Sequence, residues 1–156
     1  MNKVLIANRG EIARRVIRTL RDMNIQSVAI YSDSDRNAPH VSEADEAAYV
    51  GESPSSESYL RQDKIIEICK ERDVQGVHPG YGFLSENADF ARKLKKAGII
   101  LIGPTPESME VMGDKLKAKQ AVKSYNVPLV PGVDHAISDV SQAKKTAMEI
   151  GYPILI

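Results

Sequence analysis

What this chain lacks narrows it first. Its longest apolar runs are short, such as Ile99 to Ile102, and none approaches the length needed to cross a bilayer. Only Val4 to Ala7 precede Asn8-Arg9 at the amino terminus, too short a stretch for the core of a secretory signal. Lys plus Arg number 21 and Asp plus Glu number 21, so the formal net charge is zero. No whole-chain basic excess draws it to nucleic acid or to an anionic membrane. A single cysteine, Cys69, excludes an internal disulfide framework and suits a reducing compartment. It shares a helical apolar face with Ile65 and Ile68, which reads as core rather than nucleophile. A cytoplasmic location is the expectation, shared with a mitochondrial protein that has lost its presequence. Internal repeats and low-complexity segments are absent. The 156 residues suffice for one good core, or one domain and part of another.

Glycine is scarce where a dinucleotide site would need it. The first strand-to-helix turn, Ala7-Asn8-Arg9-Gly10-Glu11-Ile12-Ala13, has one glycine where that fingerprint wants three. It also sets Glu11 near the anion's place, where a carboxylate competes with phosphate for the same amide donors. NAD binding is therefore disfavoured. Gly10 is read as permitting close helix packing, and Glu11 as offsetting the helix dipole.

What is present is an alternation of strand and helix signals, the pattern of parallel βαβ units. Strands are expected at Val4 to Ala7, Val28 to Tyr31, Ala47 to Val50, Gly76 to His78 and Ile99 to Ile102, with a last one at Ile154 to Ile156. Helices are expected from Arg9-Gly10 to about Met23, from about Ser58 to Glu71, and after an N-cap at Ser85 with Glu86 in the first turn. Thr105-Pro106-Glu107 starts another, Gly113 interrupts it, and a further helix carries Leu116, Ala118, Ala121, Val122 and Tyr125. Val127 to Pro131 reads as extended. Ser138 or Asp139 caps a helix with Val140, Ala143, Ala147 and Ile150 on one face. Ser32 to Asn37 is a polar loop.

The most informative segment is His78-Pro79-Gly80-Tyr81-Gly82-Phe83-Leu84-Ser85-Glu86-Asn87. Two glycines let the backbone turn steeply around Tyr81 and leave its ring little cover. A loop at the carboxyl end of a parallel strand is where open α/β sheets hold ligands. A plain turn with Tyr81 packed on a neighbour is the alternative. His78, extended because proline follows, is either hydrogen-bonded inside the loop or a general base lacking a paired acid. His40, Glu43, Asp45 and Glu46 match no metal-ligand spacing, and His135 has no companion; a solvated acidic face is expected. The polar side of the first helix, Arg14, Arg15, Arg18, Arg21 and Asp22, is likewise expected to be solvated.

That ten-residue string resembles the signature of biotin carboxylases, the ATP-dependent component of acetyl-CoA, propionyl-CoA, methylcrotonyl-CoA and pyruvate carboxylases. Ile6 to Ala13, Glu57-Ser58-Tyr59-Leu60, Ile102-Gly103-Pro104 and Met112-Gly113-Asp114-Lys115 resemble further parts of the same family, in order along the whole chain. The resemblance implies an α/β fold: a Rossmann-like, pre-ATP-grasp parallel sheet over residues 1 to about 113, then the truncated start of an ATP-grasp domain over 114 to 156. It implies an amino-terminal fragment of a considerably longer protein, lacking the lysine, glycine-rich loop, metal-binding acids, catalytic base and arginine that follow in the family. No catalytic residue is expected within the fragment.

By the same resemblance Tyr81 and Gly82 line the biotin pocket, Glu86 helps order neighbouring cationic groups, and Lys115 contacts ATP. A lysine ammonium suits phosphate oxygens, although Lys115, Lys117, Lys119 and Lys123 crowd one helix, where lysines are usually just solvated. A supporting role for Asn8 or Arg9 stays open. Arg15, Arg18 and Asp22 match positions of a two-fold dimer contact, with Asp22 one methylene shorter than the usual glutamate. The implied reaction takes MgATP and bicarbonate and carboxylates biotin on a carrier protein. The implied partners are a biotin carboxyl carrier protein or domain, a carboxyltransferase and a second copy of the full-length chain. Acetyl-CoA carboxylase, and with it fatty acid biosynthesis, is the preferred assignment. Another ATP-grasp ligase such as a carbamoyl-phosphate synthetase, or a non-catalytic Rossmann-like binding module, remains the alternative.

Overall fold

The computed structural model describes residues 1–123, 125, 127–129, 132–133 and 137–154, and the side chains of Lys115, Leu116 and Lys123 fall outside that description. The chain divides into two compact units, Met1–Met109 and Glu110–Ile156.

In the first unit five parallel strands form one sheet: β1 Lys3–Ile6, β2 Gln26–Ser32, β3 Glu46–Gly51, β4 Gly76–His78 and β5 Ile100–Leu101, in the order β3-β2-β1-β4-β5. Val4, Leu5, Ile6 and Ala7 are wholly buried, as an apolar run in a central strand covered on both faces must be. Alternation along β1 divides the core. Val4 and Ile6 pack with Ala13, Val16, Ile17 and Leu20 of α1 (Gly10–Asp22). Leu5 and Ala7 face the opposite cluster, which contains Ile65, Ile68 and Cys69 of α3 (Gln62–Glu71) and Phe90 and Leu94 of α4 (Ala88–Lys96). Cys69 is in the core, and burial pushes its thiol up to about 12.

Several local expectations shift. A 3-10 turn, Asp33–Asp35, lies inside the expected polar loop, while a short helix, α2 (Pro39–Glu43), and a second 3-10 turn, Ser55–Glu57, fill segments for which no element was expected. Helix α3 begins at Gln62 rather than Ser58, because Ser58 is buried with its hydroxyl donating to the Pro54 carbonyl at 2.8 Å. The cap of α4 is Asn87, which accepts the Phe90 amide at 2.8 Å, not Ser85. Consecutive turns over 81–86 delay the helix, so Glu86 lies ahead of it and Asp89 supplies the first-turn acid.

Gly10 also departs from its expected role: a Cβ there would meet nothing within 4 Å, and its φ of +62° is what requires glycine. The acidic stretch after α1 is not a solvated face. His40 is fully buried, Glu43 pairs with Arg14 at 2.6 Å, and Asp45 accepts the Ser27 amide and hydroxyl at 2.8 and 2.7 Å. Glu46 holds Lys3 at 2.6 Å and Arg72 at 2.9 Å. Arg21 donates to the Glu43 carbonyl at 2.8 Å, so both Arg14 and Arg21 tie α1 to α2. Among the described residues no group of three His, Cys, Asp or Glu side chains is placed to hold a metal.

Helix α5 (Pro106–Gly113) starts as its residues predict, Thr105 Oγ1 accepting the Ser108 amide at 3.2 Å. In the second unit α6 spans Lys115–Lys123 and α7 spans Val140–Ile150, the latter capped by Asp139, which accepts the Gln142 amide at 3.0 Å. Of the face expected to be buried on α7, Ala147 is buried while Val140 and Ile150 are exposed. No strand forms at 127–129 or at Ile154. Val130, Pro131, His135, Leu155 and Ile156 lie outside the described residues. No helix among the described residues is long and apolar enough to cross a membrane.

Candidate functional site

The strand order reverses direction at β1. The chain moves from β1 outward to β2 and β3, then returns to place β4 on the other side of β1. Connections leaving β1 and β4 therefore diverge to opposite faces and open a crevice beyond the strands' carboxyl ends, the preferred ligand site of open parallel sheets. A cleft of about 410 Å³ lies there, walled by Asn8 to Ile12 on one side and Tyr81 to Phe83 on the other.

Asn8 joins the two walls. Its side chain is buried, and Nδ2 donates to the Pro79 carbonyl at 2.8 Å and the Tyr81 carbonyl at 2.9 Å. Its Oδ1 accepts the Arg9 amide at 2.9 Å. Both donor hydrogens and one acceptor lone pair are used, so the β4 turn is held against the β1 turn by an asparagine that an aspartate carboxylate, having no donor, cannot replace. Gly80 makes the close approach feasible. It has φ +66°, and a Cβ there would fall 2.7 Å from Asn8 Nδ2.

Tyr81 projects into solvent, 60% exposed, with its hydroxyl donating to the Glu11 carboxylate across the cleft. The bare-ring expectation and the packed-tyrosine alternative each hold in part: the ring face is free and the hydroxyl is engaged. Gly82, φ +67° with open space where a Cβ would stand, leaves backbone at the cleft surface. Glu11 thus does more than offset the helix dipole, because it anchors the tip of the tyrosine. A flat, polar ring inserted here would meet one aromatic face and exposed amides, the surface pattern that binds such groups.

His78 is hydrogen-bonded inside the loop: Nδ1 accepts the Gly80 amide at 3.0 Å, and burial lowers its pKa from 6.5. His40, behind β2, directs Nε2 to the Ile30 carbonyl at 3.2 Å while Nδ1 has no partner. Its pKa is lowered chiefly by burial and also by Arg9, against the Ile30 carbonyl, Asp35 and Glu43. Both rings are neutral in the fold and charge more readily in the unfolded chain. Below pH 6.5 the unfolded state then binds the extra proton, and stability falls as pH falls. We expect the loss to begin as pH falls through about 6.5 and to level off once the folded-state rings also take up a proton. Urea midpoints measured from pH 7.5 to 5.5 check this, and a flat profile would contradict it. The depressed carboxylates of Asp45 and Glu46, held by Ser27 and by Lys3 with Arg72, act in a separate window below the ordinary carboxylate range.

Other sequence-derived candidates lie elsewhere. Glu86 is exposed at the end of the 81–86 turns. Arg15, Arg18 and Asp22 lie exposed on α1, Arg15 donating to Thr19 and Arg18 to the Arg14 carbonyl at 3.5 Å. Lys115 opens α6 after Asp114, whose Oδ1 accepts the Lys117 amide at 3.1 Å, but the Lys115 side chain is outside the described residues. Two residues beside the cleft carried no role in the sequence reading. Asp35 and Tyr59 are both buried, at 6% and 1% exposure. Their nearest sequence signals were an acid inside the expected polar loop and a tyrosine at the expected start of a helix, within the family-resembling string Glu57-Ser58-Tyr59-Leu60.

Residues 1–109 match the biotin carboxylase N-terminal domain, and residues 114–156 match the ATP binding domain of the carbamoyl-phosphate synthase L chain. A biotin carboxylase from Halalkalibacterium halodurans is 51% identical over 154 residues, covering 99% of this chain and 34% of that protein. The mitochondrial propionyl-CoA carboxylase alpha chain of Homo sapiens is 50% identical over 155 residues, covering 99% of this chain and 21% of its own length. In structure the chain is similar to the biotin carboxylase domain of a thermophilic 2-oxoglutarate carboxylase bound to bicarbonate, with TM-score 0.89 and 48% identity, over 99% of this chain and 34% of that one. The chain thus spans about a third or less of the length of the proteins it matches. With more than two-thirds of its residues matched to one domain family, the chain belongs to the biotin carboxylase N-terminal domain family.

Proposed function

We propose that this chain is the amino-terminal part of a biotin carboxylase, an ATP-dependent ligase that uses MgATP and bicarbonate to carboxylate biotin on a carrier protein. The observation that carries this reading is the Asn8-latched turn, which presents an exposed tyrosine face and a bare glycine backbone at the sheet's switch point. Tyr81 and Gly82 form one wall for the biotin ring. Glu86 supports cationic groups contributed by the rest of the enzyme, and Lys115 contacts ATP phosphates. Residues 1 to about 113 serve as the pre-ATP-grasp domain, and 114 to 156 begin the ATP-grasp domain.

The work of the described residues is positioning. Asn8 fixes the turn, and Glu11 restrains the tyrosine hydroxyl so that the ring is presented in one orientation. Such pre-set geometry lowers a barrier by removing freedom that would otherwise be lost during reaction. The full-length enzyme works with a biotin carboxyl carrier protein or domain and a carboxyltransferase. It pairs as a homodimer through Arg15, Arg18 and Asp22. Acetyl-CoA is our preferred final acceptor, in fatty acid biosynthesis, with a cytoplasmic location.

The isolated 156-residue chain is expected to show no biotin-dependent ATP hydrolysis, while the full-length enzyme does. In the full-length enzyme, Lys115→Ala is expected to raise the KM for ATP about tenfold or more, the loss of one charge-assisted contact. Steady-state kinetics at saturating bicarbonate measures both. Turnover by the isolated chain, or an unchanged KM in the variant, would remove the corresponding assignment.

A further inference from the structure

Behind the turn lies a buried polar assembly that core packing alone does not call for. Asp35 ends the segment after β2, and its carboxylate meets four donors. Arg9 supplies Nη2 at 3.0 Å and Nε at 2.9 Å, Tyr59 its hydroxyl at 2.6 Å, and Ser32 its hydroxyl at 3.2 Å. The Tyr59 oxygen in turn accepts the Ser32 amide at 3.1 Å. Burial first, then the bond to Asp35, push the Tyr59 hydroxyl up to about 12, so it remains a donor. A buried carboxylate is costly unless every lone pair is matched, and here the matching residues come from three separate segments of chain.

The assembly reaches the cleft turn through an aromatic stack. The Tyr59 ring stacks on Phe83, centroids 5.2 Å apart and planes at 10°. Phe83 is the third residue of the cleft-lining turn and adopts φ +40°, a left-handed conformation that an aromatic residue rarely takes. Something outside the turn must hold it there, and the flat face of Tyr59 is in place to do so. Tyr59 has two rotatable side-chain bonds, and its two hydroxyl hydrogen bonds leave the ring a single orientation. Arg9 closes the circuit, since it grips Asp35 and also forms part of the opposite cleft wall.

We propose that Asp35 and Tyr59 are positioning residues for the biotin-facing turn, acting through the Tyr59–Phe83 stack to hold Phe83 and Gly82 at the cleft. Asn8 secures the near end of the turn through backbone carbonyls, and this stack secures its far end. The proposal rests on the reading of the cleft as the biotin wall.

Two measurements test it. In the 156-residue chain, hydrogen–deuterium exchange over residues 80–84 is followed in Asp35→Asn, Phe83→Leu and Phe83→Tyr, with α1 as internal reference. Asp35→Asn and Phe83→Leu are expected to speed exchange in the turn about tenfold while α1 changes less than about twofold, and Phe83→Tyr, which keeps the ring, restores the wild-type rate. In the full-length enzyme the two loosening variants raise the KM for biotin about fivefold or more and leave the KM for ATP within about twofold. Unchanged exchange over 80–84, exchange raised equally in α1, or an unaltered biotin KM in an active enzyme would each overturn the proposal. If the wild-type full-length protein lacks biotin-dependent ATP hydrolysis, the functional reading fails, and the exchange comparison still decides whether Asp35 and Tyr59 hold the turn.

Discussion

Phe90→Ala is expected to lower the unfolding free energy by about 3–5 kcal/mol, a large share of what a domain this size possesses. Phe90 is fully buried in the cluster shared by β1, β2, β3, α3 and α4. It is the first large side chain of α4, directly after the cap that Asn87 forms on its own amide. Truncation removes transfer energy and leaves a cavity in a densely packed cluster whose helices and strands are too constrained to collapse into it. The effect on the site is indirect, because α4 begins where the cleft turn ends. Urea unfolding monitored by circular dichroism gives the magnitude. A loss below about 1 kcal/mol would mean that this side of the sheet repacks, against the density argument.

Gly80→Ala is expected to cost about 2–4 kcal/mol and to damage the cleft directly. Two penalties act together. The backbone at φ +66° disfavours any Cβ, and the added carbon would lie 2.7–3.0 Å from the Asn8 side-chain atoms. Asn8 must then move, which leaves the buried Pro79 carbonyl or the Asn8 amide without a partner. Phe90→Ala weakens the whole unit, whereas Gly80→Ala releases the turn at one end. Hydrogen exchange separates the two, since Gly80→Ala raises exchange over 80–84 beyond the global change. Equal exchange in α1 and in the turn would show that Asn8 is not a latch.

Much of the fold follows from residues that are neighbours in sequence. The apolar run Val4 to Ala7 reads as a short buried strand, and Ala13, Val16, Ile17 and Leu20 share one helical face, as the structure has them. Thr105-Pro106 and Asp139 cap helices with their own side chains, a bond whose two ends lie within three residues. Where these readings slipped, either a competing bond a few residues away or a contact far along the chain had intervened. Ser58 is drawn out of α3 by the Pro54 carbonyl, and Ser85 is displaced as a cap by the turns around Phe83. The acidic stretch from Glu43 to Glu46 looked solvated because its partners Arg14, Ser27, Lys3 and Arg72 are 18 to 43 positions away.

The site divides in the same way. Residue order alone gave the α/β class, the glycine-flanked tyrosine turn and the family, since each is written in a short contiguous string. The tertiary structure decided which wall that turn faces, that Asn8 bridges to it from 71 and 73 residues away, and that Asp35 and Tyr59 stand behind it. A parallel sheet with order β3-β2-β1-β4-β5 brings residues 8, 35, 59 and 83 together at one end. No local periodicity records that meeting, because strand pairing and not chain proximity creates it.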